Sequence, residues 1–191
     1  MILVFRRTGD RRYAVEAQRA GFPNLEMNPA PGYDARMPHD LMHLVVEAQL
    51  GLNHAIFGQL AAGGDAGSFH LGTTNGESSR QVARARKRVN TRGKKLMSRG
   101  RDECLESERA TFICWQEWLS RSSSRAETKR SAAMVEQATS VRGAAGAHEL
   151  RNLNQKKLDE ICKHLDQLSA RWSSLKVGES MAVRWPDLSV T

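Results

Sequence analysis

Residues 37 to 47 read Met37-Pro38-His39-Asp40-Leu41-Met42-His43-Leu44-Val45-Val46-Glu47, which combines a helix start with two histidines one helical turn apart. Proline suits the first helical position, because its missing amide proton would have no partner there. A stripe of leucine and valine follows, and Gly51 is a typical left-handed helix stop. The segment therefore predicts the first helix of the chain, from Pro38 to Leu50, with strands before it and helices after it.

The residues before this helix predict a small sheet. Ile2 to Arg7 and Arg12 to Arg19 have strand composition, and Thr8 to Arg11 between them has turn composition. Ser180 to Trp185 alternates apolar and polar residues and predicts a last strand. Because a lone hairpin is only marginally stable, we expect the last strand to complete a three-stranded antiparallel sheet. Gly21 to Pro38 contains four prolines and is predicted to be an irregular connector.

Helical periodicity dominates the remaining chain, which predicts an α+β fold with the sheet packed on a mostly helical body. We expect one domain, residues 1–191, with residues 78–101 as a basic insert. The last helix has apolar residues three and four apart, so we expect it to pair antiparallel with the helix that begins at Asp102. The predicted later helices are Asn53 to Ala62, Ser78 to Arg101 with an interruption near Gly93, Asp102 to Leu119, Ala126 to Arg142, and His148 to Leu175.

Composition places the chain among soluble proteins. Its 191 residues are 40% hydrophobic and 26% charged, which is ordinary for a globular domain. No apolar run approaches the roughly 18 residues of a membrane span, and the N-terminal apolar run is too short for a signal peptide. We therefore expect a cytoplasmic protein. The odd number of cysteines, and the absence of a CxxC pair, predict reduced thiols and no cysteine-based zinc site.

His39 and His43 are the strongest candidates for metal ligands. Residues four apart on a helix have Cβ atoms about 6 Å apart, which lets two imidazoles reach one zinc or other divalent ion. The HExxH helix of zinc proteases uses this geometry, although Asp40 takes the place of its glutamate. Glu47 lies about 12 Å along the axis from His39, so on a straight helix it is hard to bring to the same ion. We predict a site of His39, Asp40, His43 and Glu47. Asp40 and Glu47 would be either ligands or hydrogen-bond partners that fix the ring of His43.

A purely structural interpretation of the same residues stays open. Asp40 in the first turn favours the positive end of the helix dipole, and His43 would be a hydrogen-bonded, half-buried side chain. Glu108 falls on the apolar helix face that carries Leu105 and Phe112. A carboxylate buried on this face would need a hydrogen-bond partner or a metal, whereas a carboxylate at the edge of the face would need neither. The candidates for further ligands are His54, His70, His148, His164 and Glu108.

Three segments together resemble a family of small bacterial proteins of uncharacterised function. They are Pro29 to Asp34, Met37 to Glu47 with the pattern MPHDLxHxxVE, and Phe57 to Gly64 with the sequence FGQLAAGG. The resemblance spans most of the chain and implies a hairpin, this helix, and a C-terminal helix followed by a strand. It implies no activity.

The short motif HDxxH also resembles the zinc motif of a ubiquinone-biosynthesis scaffold family. That family places a glutamate twelve residues after the second histidine, and this position is Ala55 here. The resemblance therefore covers five residues and lacks one ligand. The adjacent His39 and Asp40 are similar to HD-type phosphohydrolases, but those need an upstream histidine, and none precedes His39.

The net charge of +8 belongs to one segment, because ten of the 29 basic residues and no acids lie between Ser78 and Arg101. Such a segment could contact phosphates, which predicts a nucleic-acid or protein binding module as the alternative function. It contains no aromatic residue on which bases could stack. The simpler interpretation is a solvated, mobile insert whose deletion leaves the fold intact. The candidate contacts are Arg80, Arg84, Arg86, Lys87, Arg88, Arg92, Lys94 and Lys95.

Overall fold

The computed structural model describes residues 1–72, 78–121, 132–145 and 147–191. Strands and helices are segregated along the chain, which makes the fold α+β. The strands are β1 (Ile2–Gly9), β2 (Arg12–Gln18), β3 (Leu25–Ala30), β4 (His70–Leu71) and β5 (Ser180–Arg184). The described helices are α1 (His39–Leu50), α2 (Ile56–Ala61), α3 (Ser79–Arg99), α4 (Arg101–Ser120), α5 (Ala132–Ala144), α6 (Ala147–Asn152) and α7 (Gln155–Ser174).

The sheet is antiparallel throughout and has the order β4-β3-β2-β1-β5. The predicted hairpin and the pairing of the last strand with β1 are confirmed, but the sheet has five strands, not three. The two strands that were not predicted are β4, which has only two residues, and β3, which lies in the segment predicted to be irregular. In β3, Leu25, Met27 and Ala30 point inward, and Pro29 falls where the register with β2 slips by one residue. A proline is tolerated at such a bulge, because no ladder hydrogen bond is needed from it.

The centre of the molecule is α1, in which all eight residues from Asp40 to Glu47 are buried. A helix that is buried all round lies inside a core rather than on a surface. Helices α4 and α7 pack against it and against each other. Trp118 on α4 bonds Asp166, and Arg121 just beyond α4 bonds Asp159, so the two helices run in opposite directions, as predicted. His43 and Glu47 consequently lie inside the protein.

Two predictions of helix continuity are wrong. Helix α3 continues through Gly93, because the glycine serves close packing: a Cβ there would lie 2.0 Å from Oδ1 of Asp65. The predicted helix from His148 to Leu175 is instead two helices. Asn154 accepts a hydrogen bond from the amide of Lys157 and caps α7, since asparagine competes for backbone donors and favours a cap over a helix interior.

Other boundaries also differ. Helix α2 starts at Ile56 behind an extended Ala55, so Asn53 is not its cap. Leu105 is 50% exposed and does not belong to the inward face of α4. The predicted helix from Ala126 is described only from Ala132, since residues 126–131 lie outside the described ranges. Within the described helices, none combines the length and apolarity that a membrane crossing requires.

Candidate metal centre

Helix α1 presents His39 and His43 on one face. Pro38 immediately precedes the first helical residue, His39, and the two imidazole rings have their centroids 4.5 Å apart. His39 is exposed, whereas His43 is 1% exposed. The pair therefore leads from the surface into the core along one helical turn.

Helix α4 adds a carboxylate to this pair. Oε2 of Glu108 lies 3.7 Å from Nε2 of His43, and one potential ligand atom from each of His39, His43 and Glu108 lies within 4.8 Å of the other two. The side chain of Glu108 is 60% exposed, so it lies at the edge of the helix. Small side-chain rotations would bring the three atoms to the distances at which imidazole and carboxylate bind a divalent ion.

The buried histidine has one nitrogen without a partner. Among the described residues, no donor or acceptor bonds Nε2 of His43. Its other nitrogen, Nδ1, lies 2.8 Å from Oγ of Ser107 and 3.3 Å from Oγ1 of Thr111. Because buried polar atoms are normally hydrogen-bonded, Nε2 is the atom of this ring that is open to a ligand.

A buried network fixes the ring of His43 from behind. Ser107 Oγ lies 2.9 Å from Oε1 of Glu47, whose Oε2 accepts a 2.9 Å hydrogen bond from the amide of Phe57. Glu47 itself is 3.9 Å from Nδ1 of His43, so it acts on the ring through Ser107. Neither Ser107 nor Thr111 was predicted; the only sign in the sequence is two small polar residues one turn apart in α4.

Burial controls the protonation of both groups. It raises the pKa of Glu47 to about 8, against the opposing effect of the hydrogen bonds from Phe57 and Ser107. Burial and, to a smaller extent, the neighbouring His39 together lower the pKa of His43 to about 3. His43 is therefore neutral at physiological pH, which is the state in which an imidazole binds a metal.

Two proton arrangements fit the network. A protonated Glu47 donates to Ser107, which then donates to Nδ1 of His43 and leaves the ring proton on Nε2. An ionised Glu47 accepts from Ser107, which accepts from Nδ1 and leaves the lone pair of Nε2 free. Only the second arrangement offers Nε2 as a ligand, and a cation bound there favours it.

Asp40 belongs to a different network. Its carboxylate accepts a short hydrogen bond from the hydroxyl of Tyr13, on β2, and that hydroxyl is also 2.5 Å from the carbonyl of Pro31. Burial raises the pKa of Asp40, while the hydrogen bond from Tyr13 and the proximity of His39 lower it. The structure thus ties α1 to the sheet through Asp40 and does not bring this carboxylate into the cluster of His39, His43 and Glu108.

A cavity of about 290 Å³ opens in front of the three side chains. Apart from them, its walls are mostly apolar or aromatic and include Met37, Tyr33 and Trp115. Gly32 lets the preceding loop approach His39: its φ is +68°, and a Cβ there would lie 2.6 Å from Cβ of His39. A metal at this site would have one side facing a small, largely apolar chamber.

The other predicted ligands lie elsewhere. His54 is exposed and bonds Glu103 at 2.8 Å, His70 is exposed in β4, and His164 lies part-buried on α7. The side chain of His148 lies outside the described residues. Within the described part of the chain, the only group of three potential ligands that meets the distance requirement is His39, His43 and Glu108.

The predicted nucleic-acid contacts all lie on the exposed surface of α3. Arg84, Lys87, Arg88, Arg92 and Lys95 line one cleft. Arg86 lines a separate hollow beside His70. Arg80 and Lys94 are exposed and line neither.

Comparison with family models, with curated proteins and with solved structures finds no match for this chain. A function can therefore be argued only from the geometry and chemistry of the chain's own residues.

Proposed function

We propose that the protein binds a divalent metal ion, zinc or an ion with the same ligand preference, through His39, His43 and Glu108. The observation that supports this most strongly is the unpartnered Nε2 of the buried His43. A structural histidine would bond both nitrogens, whereas this one has its ring held at Nδ1 and presents Nε2 to another histidine and a carboxylate.

The ligand set favours an open site. Structural zinc sites are closed by four protein ligands, whereas catalytic sites use three and keep one position for water or substrate. Two histidines and one glutamate form such a three-ligand set, and the cavity lies on their open side. A metal held there would lower the pKa of bound water and supply a nucleophile, which makes metal-assisted hydrolysis the reaction class to test.

The proposal is tested by elemental analysis of protein purified without a histidine tag, followed by zinc titration in a calorimeter. We expect one zinc ion to bind per chain. His43→Gln should abolish this binding, and Glu108→Gln should weaken it. His70→Gln is the matched control, because it removes an exposed histidine far along the chain from the site. Wild-type protein that takes up no divalent ion, or a His70 variant that loses as much affinity as the His43 variant, would overturn the proposal.

A further inference from the structure

A cleft of about 920 Å³ lies between α3 and the turn at Gly21, Phe22 and Pro23, with Gly63 beside it. It is separate from the metal centre, since the two cavities share no lining residue. One wall is a helix face, and the opposite wall is a short loop between β2 and β3. The two walls make an open groove rather than a closed pocket.

The helical wall carries five cations, at Arg84, Lys87, Arg88, Arg92 and Lys95. Their spacing of three, four, eight and eleven residues from Arg84 places them along one face. From Arg84 to Lys95 they extend about 16 Å along the helix axis. No acidic residue is among the described residues that line the cleft, and none of the ion pairs among the described residues involves these five.

Helix α3 is docked on the body of the protein beside the cleft. Val89 and Gly93 on the neighbouring face of α3 are buried, and Gly93 packs directly on Asp65. The guanidinium of Arg92 lies 4.9 Å from the centroid of the Phe22 ring, across the cleft. Because five like charges around one concavity repel one another, a bound polyanion would relieve an unfavourable arrangement that the fold itself maintains.

We propose that this cleft binds a single-stranded nucleic acid through its phosphates. Five cations over about 16 Å can contact several successive phosphates of one strand, whereas a single phosphate would engage only two or three of them. A flexible strand can enter a concave groove, whereas a planar membrane surface cannot. The Phe22 ring already has two guanidinium groups over it, those of Arg19 at 5.8 Å and Arg92 at 4.9 Å from the ring centroid. Recognition would consequently depend on charge and be independent of base sequence.

The test is fluorescence anisotropy with a labelled oligothymidine of 15 nucleotides, which has no secondary structure. The full-length protein should bind it at 50 mM salt and lose most of its affinity at 200 mM salt. The triple variant Arg84→Gln, Arg88→Gln, Lys95→Gln should bind at least about tenfold more weakly and show a shallower salt dependence, because it removes three phosphate contacts. The control variant Arg80→Gln, Lys94→Gln, Arg99→Gln removes the same residue types from the same helix but not from the cleft, and should lose less than about threefold.

A single change provides an independent check should the cleft variant unfold. Thr91 is exposed and lines the cleft, so Thr91→Glu adds a negative charge among the cations and should weaken binding without disturbing the core. Equal losses in the cleft and control variants would overturn the proposal, as would the absence of binding at 50 mM salt. Tighter binding of a duplex of the same length, or equal binding of polyglutamate, would also overturn it.

Discussion

At the scale of single residues, α1 carries two buried acids whose side chains have different hydrogen-bond partners. Asp40 bonds Tyr13 and ties the helix to the sheet, whereas Glu47 holds Ser107, which in turn holds His43. The two acids are seven residues apart, and only one of them supports the candidate metal centre. Their different partners allow structural and ligand-positioning roles to be separated by mutation.

Glu47→Gln should weaken zinc binding by about 10- to 100-fold, the usual effect of losing a group that orients a metal-binding histidine. The amide of glutamine donates to Ser107, whose hydroxyl then donates to Nδ1 of His43 and leaves the proton on the ligand nitrogen. Ser107→Ala should have a smaller effect in the same direction, because Thr111 remains near Nδ1. Zinc titration measures the affinity, and thermal unfolding of the metal-free variants shows whether the fold is retained. An unchanged zinc affinity in Glu47→Gln would show that Glu47 does not position the ligand.

Asp40→Asn should reduce the stability of the protein and leave its zinc affinity nearly unchanged. It weakens a charged hydrogen bond in a buried pair, so the free energy of unfolding should fall by about 1–3 kcal/mol. Zinc affinity should change by less than about threefold, because the carboxylate is hydrogen-bonded to Tyr13 and lies outside the cluster of His39, His43 and Glu108. Denaturant unfolding and zinc titration on the same preparation check both parts. Tyr13→Phe serves as the matched change on the other partner, and a large loss of zinc affinity in either variant would contradict this assignment.

At the scale of secondary-structure elements, a glycine is required for close packing in one helix and is not required in another. Gly93 lies inside α3 and allows the backbone to approach Asp65, whereas Gly143 lies inside α5 with nothing within 4 Å of an added Cβ. Sequence alone interprets both as helix weakeners. The docking of α3 onto the body of the protein therefore depends on a residue that intrinsic propensity counts against it.

Gly93→Ala should destabilise the protein by about 1–3 kcal/mol, the usual cost of overpacking, although alanine is the better helix former. The added Cβ would lie 2.0 Å from Oδ1 of Asp65, so this carboxylate would have to move and lose its hydrogen bond from the amide of Gly67. Gly143→Ala is the control and should stabilise by up to about 1 kcal/mol. Equilibrium unfolding in urea compares the two. A Gly93 variant as stable as the wild type would show that α3 is loosely attached.

At the scale of the whole molecule, the sequence predicted those features that are determined by residues close together in the chain. The hairpin, the start and end of α1 and the apolar seam of α7 follow from turn chemistry, a helix stop and periodicity. Strand β3 could not be predicted from Gly21 to Pro38, because a proline is tolerated there only at a bulge opposite β2. The pairing of Glu108 with His43 depends on α4 crossing α1 some sixty residues later, which no spacing in the sequence encodes.

The proposed metal centre joins α1 to α4, so occupancy should stabilise the molecule as a whole. A ligand that binds only the folded state at a hundredfold excess over its Kd adds about 2.7 kcal/mol to the free energy of unfolding. For a chain of this size, that corresponds to a rise in Tm of about 5–10 °C. Differential scanning fluorimetry with and without zinc measures the shift. His43→Gln should remove it, and His54→Gln, which alters an exposed histidine bonded to Glu103, should keep it. A wild-type Tm that does not respond to zinc, at concentrations that saturate binding in the calorimeter, would mean that the ion does not bridge α1 and α4.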